Sequence, residues 1–96
     1  MKNIAISLNE GTPNKRNEIT RLFSNKKWPY WHWIDDFWIV QVPDELTPKL
    51  LHQRIEKLPD IGTPTMLIFE FKGPIGYWGR SPIEAWNWLS VIGKAE

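Results

Sequence analysis

A chain of 96 residues is long enough for one domain and too short for two, and seven tryptophans give it bulk that so small a core needs. It has no cysteine, which excludes disulfides, thiolate metal sites and thiol nucleophiles, and no apolar run approaches the ~20 residues of a membrane span. Net charge is +1, which by itself favours no class of partner; Met1–Leu8 lacks the pattern of a signal peptide, so the expected compartment is the cytoplasm.

Lys2–Leu8 alternates, with Ile4, Ile6 and Leu8 on one face, and reads as a strand. Gly11 and Pro13 break it. Thr12 is placed to cap a helix whose first position is Pro13, where the missing N–H costs nothing. Ile19, Leu22 and Phe23 form its apolar stripe, and Ser24-Asn25 is expected to end it.

From Trp28 to Val42 the chain is densest in aromatics. Trp31 and Trp33 alternate with Tyr30, His32 and Ile34, so two tryptophans are expected on one face and His32 and Ile34 on the other. After Asp35-Asp36, Phe37, Ile39 and Gln41 alternate with Trp38, Val40 and Val42. Two such runs around a short acidic turn predict a hairpin. Thr47-Pro48 repeats the cap-and-proline device, followed by Leu51, Ile55 and Leu58 at helical spacing, with Pro59 and Gly62 as the stop. Thr65–Lys72 reads as a strand with Leu67, Phe69 and Phe71 on one side. Gly73-Pro74 and Gly76 form a turn, and Tyr77-Trp78 reads as a short extra strand. Ser81-Pro82-Ile83-Glu84 has the form of a capping box. It opens a last helix with Ala85, Trp88, Leu89 and Ile92 on its apolar face and Gly93 at its end.

The predicted fold class is therefore α+β: one domain over 1–96 in the β-α-β-β-α-β order of ferredoxin-like proteins, with a short extra strand and a C-terminal helix.

Charge is unevenly spread. Residues 1–34 hold six basic and two acidic side chains, a net of +4, leaving −3 for the remainder. Lys15, Arg16, Arg21, Lys26 and Lys27 are the candidate anion- or nucleic-acid-binding set, weighed against a solvated helix face. Lys26-Lys27 beside Trp28, Tyr30 and Trp31 has the basic-plus-aromatic composition of single-strand stacking sites. His32 reads as a structural residue and His52 as an exposed one. Asp35-Asp36 reads as turn chemistry in preference to metal ligands, and Asp44-Glu45 as charge complementing the second helix dipole. No Ser-His-Asp arrangement and no phosphate-cradling glycine spacing is present.

Trp86 and Trp88 are two apart on a helix, about 200° around its axis, so one buried stripe does not hold both at its centre. Trp31, Trp33, Trp78, Trp86 and Trp88 are accordingly the candidate interface residues, and a homodimer covering one face of the last helix is expected.

The opening strand ending in Ile6-Ser7-Leu8-Asn9, the hairpin Trp31-His32-Trp33-Ile34-Asp35-Asp36-Phe37-Trp38-Ile39-Val40 and the late strand Met66–Phe71 resemble small ferredoxin-like proteins related to the CRISPR-adaptation nuclease family and its SinR-like relatives. The resemblance spans most of the chain and rests on pattern. It implies homodimers through sheet edges and an acidic metal ligand at the end of the first strand. Asn9 stands at that position here, with Glu10 beside it. An amide brings no charge to a hard cation, so no catalytic residue, cofactor or metal is assigned, Glu10 being the alternative. The expected function is a non-enzymatic binding protein of bacterial or phage origin that occludes a nucleic-acid-handling partner. The alternatives are a metal-dependent nuclease of the family named above and a weak nucleic-acid-binding protein.

Overall fold

The computed structural model describes residues 1–72 and 76–93, with the side chains of residues 92 and 93 excepted. The elements run β1 (Lys2–Leu8), α1 (Pro13–Lys26), β2 (Tyr30–Ile34), β3 (Phe37–Val42), α2 (Pro48–Glu56), β4 (Met66–Phe71) and α3 (Ile83–Gly93). The strands form one antiparallel sheet in the order β2-β3-β1-β4. This is an α+β architecture.

Strand alternation sorts the side chains between two faces of the sheet. Ile4, Ile6 and Leu8 of β1, with Trp38, Val40 and Val42 of β3, point to one face. There they meet Ile19 and Phe23 of α1 and Leu51 and Ile55 of α2 in the main core. The opposite face carries Trp31 and Ile39, which pack against Ala85 and Leu89 of α3 with Phe37 and Phe71 around them. The sheet is thus covered twice: by two helices on one side and by α3 across part of the other.

The helix starts follow from the sequence. Thr12 and Thr47 accept hydrogen bonds from the Lys15 and Leu50 N–H groups, each with proline immediately after the cap. α1 runs on through Lys26, past the expected end at Ser24-Asn25. Its stop is Lys27, in the left-handed region at φ 58°. The Lys27 N–H donates to the Ser24 carbonyl and the Trp28 N–H to the Phe23 carbonyl. This is a Schellman motif, clasped by the Trp28 ring against Phe23 at 6.4 Å.

Three other expectations are corrected. β2 is irregular between Trp31 and Ile34, where its register with β3 shifts. An extra residue in a strand turns the side chains after it to the other face. Ile34 therefore lines the same groove as Trp31, in place of Trp33. Tyr77 and Trp78 form no strand among the described residues; Tyr77 stacks on Trp86 at 5.8 Å, and the flanking Gly76 and Gly79 give the segment no side chains with which to hold an extended register. α3 starts at Ile83, just past Pro82. The turn expected at Gly73-Pro74 and the packing expected of Ile92 lie outside the described residues.

Candidate functional site

The bulge in β2, the irregular segment 76–82 and the first turns of α3 together build a groove of about 210 Å³. Its walls include Trp31, Ile34, Phe37, Tyr77, Trp78 and Trp86. Each wall has a physical cause. Trp31 is fixed from below: its indole N–H donates to the Ala85 carbonyl at 3.1 Å, inside the second core, and its ring meets Phe37 edge-on at 6.2 Å. Tyr77 is held parallel to Trp86, 14° between the ring planes. Trp78 is held by nothing comparable. It is 98% exposed, the most exposed large apolar side chain in the described chain.

The groove is apolar with a single charge. Among the described residues Arg80 lines it, no carboxylate does, and Arg80 makes no ion pair. Ile34 at 55% exposure continues the apolar surface beyond Trp78. Exposed apolar area gathered in one place, beside a lone cation, marks a contact surface in a small protein.

Of the five candidate interface tryptophans, the groove brings together Trp31, Trp78 and Trp86. Trp33 is 47% exposed on the edge strand and lies outside the lining. Trp86 and Trp88 do diverge around α3, yet both are half-buried against the chain's own second core. Ile34, Phe37, Tyr77 and Arg80 were missed as site residues. Ile34 depends on the bulge, which no residue type announces, whereas Phe37 shares its face with Ile39 by the regular alternation of β3. Tyr77 and Arg80 flank Trp78 in a segment bounded by Gly76 and Pro82, and that punctuation is the signal that was available.

The basic set is dispersed. Arg16 Nε donates to Asp36 Oδ1 at 2.9 Å and Arg21 pairs with Glu18 at 3.0 Å. Lys26 and Lys27 are exposed at the far end of α1, about 15 Å along the axis from Arg16. None of the five lines the aromatic groove. Trp28 and Tyr30 belong to the main core on the helix-covered face, with Arg54 over the Trp28 ring at 5.9 Å, so they form no open stacking platform.

Asp36 is the hub of a second polar site at the sheet's end. Besides Arg16 it accepts the Gly11 N–H at 3.3 Å, while Arg16 donates onward to the Gly11 carbonyl at 3.2 Å. The hydrogen bond from Arg16 is the main cause holding the Asp36 carboxyl below the usual carboxylate range. The Gly11 N–H adds to it, against a desolvation that pushes the other way. A methyl group at Gly11 would overlap the Asp36 carboxylate, which is why glycine stands there. The Asp36 backbone carbonyl accepts the Leu8 N–H. Asp36 thus latches the hairpin to the loop that leads into α1. His32 stacks on Trp38 at 4.4 Å, and its Nε2 lies 2.8 Å from the Asp35 carbonyl. His52 pairs with Glu56 on α2. Asn9 and Glu10 are exposed beside the latch, Glu10 at φ 55°. Among the described residues no three His, Asp or Glu side chains converge as metal ligands.

Comparison with protein-family models, with curated proteins and with solved structures returns no match.

Proposed function

We propose that the chain is a non-enzymatic interaction module that binds a protein partner by taking an apolar side chain of that partner into the aromatic groove. The observation that carries this is the convergence of Trp31, Trp78 and Trp86 with Ile34, Phe37 and Tyr77 around Arg80, which makes no ion pair among the described residues. Such a surface suits a hydrophobic or aromatic anchor followed by a carboxylate that meets Arg80. A module with one such groove acts by occupying a partner's surface. The strand order, with α1 and α2 each joining strands that have one neighbour between them, supports the ferredoxin-like reading of the fold.

Single-strand binding is the second reading. Stacking on aromatics needs cations along the backbone track, and the five basic residues stand away from the groove, two of them neutralised by acids. This favours the protein partner.

The test is selection from a displayed random-peptide library on the wild-type chain, with counter-selection on Trp78→Ala. The expected result is a family of peptides sharing an aromatic or long aliphatic residue next to Asp or Glu. Peptides that bind Trp78→Ala equally well, or an oligonucleotide that outcompetes every peptide, would defeat the proposal.

A further inference from the structure

The two faces of the sheet are covered unequally. On the main-core side α1 and α2 together cover the four strands. On the other side α3 lies alone, over Trp31 of β2 and Ile39 of β3. A helix is about 10 Å across and neighbouring strands are about 4.8 Å apart, so one helix covers two strands. The half of that face formed by β1 and β4 is therefore one helix short.

The floor of this uncovered half is Ala5 and Ser7 of β1, opposite Phe69 and Leu67 of β4. Exposure rises along β4 away from the second core. Phe71 packs partly against that core, Phe69 is 44% exposed and Leu67 61%, with Ser7 exposed beside it. None of these side chains is charged. The Lys2–Glu70 pair belongs by strand alternation to the opposite face, where α2 packs on β4. The wall comes from α3. Trp86 turns into the aromatic groove beside β2 and β3. Glu84, Trp88 and Val91 lie about 140–200° around the axis from it, and so on the flank toward β1 and β4. Val91 is 70% exposed, and Glu84 is exposed with no ion pair among the described residues.

We infer that this slot takes an amphipathic helix of a different protein, lying beside α3 on Ser7, Leu67 and Phe69. The width fits one helix. Floor and wall are apolar, and the charge that α3 sets on that flank among the described residues is the Glu84 carboxylate. The fitting helix therefore carries apolar residues at i, i+3, i+4 and i+7, with a Lys or Arg on the side that meets Glu84. A second copy of this chain has no helix to spare for it, because the apolar stripes of α1, α2 and α3 are already spent in its own two cores. The area sets the strength. A floor of about 10 by 20 Å with as much again of wall gives about 400 Å² per partner, about 800 Å² in all, the size of a weak and transient contact. The slot is separate from the aromatic groove, which Leu67, Phe69 and Val91 do not line.

The experiment is selection from a displayed library of helix-forming peptides of about 15 residues, randomised along one face, against the whole chain. A selected peptide is then titrated into the wild type and variants, with circular dichroism of the complex and amide shifts to map the contact. The peptide is expected to gain helix on binding and to shift Ser7, Leu67, Phe69 and Val91. Leu67→Lys, at an exposed position, is expected to weaken binding about 10-fold or more. Glu84→Lys is expected to weaken it about 3-fold, and a peptide whose basic residue is replaced by Glu recovers the loss. Trp78→Ala leaves this affinity unchanged while it weakens ligands of the groove, so the two readings fail separately. A library that yields no binder overturns the inference. So do peptides that bind without becoming helical, or that depend on Trp78 and not on Leu67. Self-association of the free chain that Leu67→Lys abolishes overturns it too, by making a second copy the occupant. Should Leu67→Lys unfold the domain, the charge exchange at Glu84, a solvent-facing helix position, decides alone.

Discussion

Replacing Trp31 by Phe separates the anchoring of α3 from the stability of the rest of the domain. The phenyl ring keeps most of the packing against Ile39, Phe37 and Leu89 but drops the N–H that donates to the Ala85 carbonyl at 3.1 Å. Loss of that buried hydrogen bond costs about 1 kcal/mol, at the modest end because the carbonyl sits in a helix whose ladder also uses it. Loss of on the order of 40 Å² of buried ring costs about another 1 kcal/mol. α3 is held through this small second core, whereas the strands belong to the larger one on the other face. The roughly 2 kcal/mol therefore falls on local opening of α3, and its amides are expected to exchange about 30-fold faster. The assay is native-state hydrogen exchange resolved by residue. The β1 and β3 amides serve as the internal reference and are expected to move much less. Equal acceleration in α3 and β1 would show that the two cores open as one unit, and no acceleration in either would show that the indole bond is not an anchor.

Further expectations concern the latch, the α1 stop and the groove. Asp36→Asn is expected to lower stability at neutral pH by about 1 kcal/mol, the low end for a charge-assisted bond because the pair is part-exposed; chemical unfolding measures it. Because the folded-state carboxyl lies below its unfolded value near 3.9, its stabilisation is present above that value and is lost as pH falls through the folded one. The gap between wild type and Asp36→Asn should therefore narrow as pH falls below about 4, and a gap that stays constant down the acid range would contradict the latch. Lys27→Gly relieves a left-handed non-glycine residue at the α1 stop and is expected to stabilise by about 0.5–1 kcal/mol, raising the thermal midpoint by several degrees. Trp78→Ala, at a side chain with almost no contacts, is expected to leave the thermal midpoint within about 2 °C, consistent with a change under 0.5 kcal/mol.

Much of the fold was legible in the residues. The paired Thr-Pro starts, the alternation of Ile4, Ile6 and Leu8, and the stripe containing Ile19 and Phe23 all say where they go, because caps and periodicity are local properties. The α1 stop was not legible, since a lysine in the left-handed region is held there by the Phe23–Trp28 clasp and carries no signal of its own. The bulge was hidden for a related reason: nothing between Trp31 and Ile34 is a glycine, and the shift appears only against β3. The tryptophan count announced a surface in excess of one core. Which tryptophans formed it depended on α3 crossing the far face of the sheet, a tertiary fact. The turn that Asp35-Asp36 predicts is there. The added role of Asp36 as a tie to Gly11 and Arg16 required two distant loops to meet.

The proposal that the groove receives a partner's apolar side chain is tested most directly by the affinity of one selected peptide for the wild type and for Trp78→Ala, by calorimetric titration at low and at physiological salt. Loss of an aromatic that is exposed in the free chain and covered by the peptide costs about 1.5–3 kcal/mol, so the expected result is a loss of roughly 10- to 100-fold, nearly the same at both salt concentrations, since Arg80 is the one charge among the described residues that line the groove. An affinity unchanged by the substitution, or one that collapses with salt in both proteins, would contradict the account.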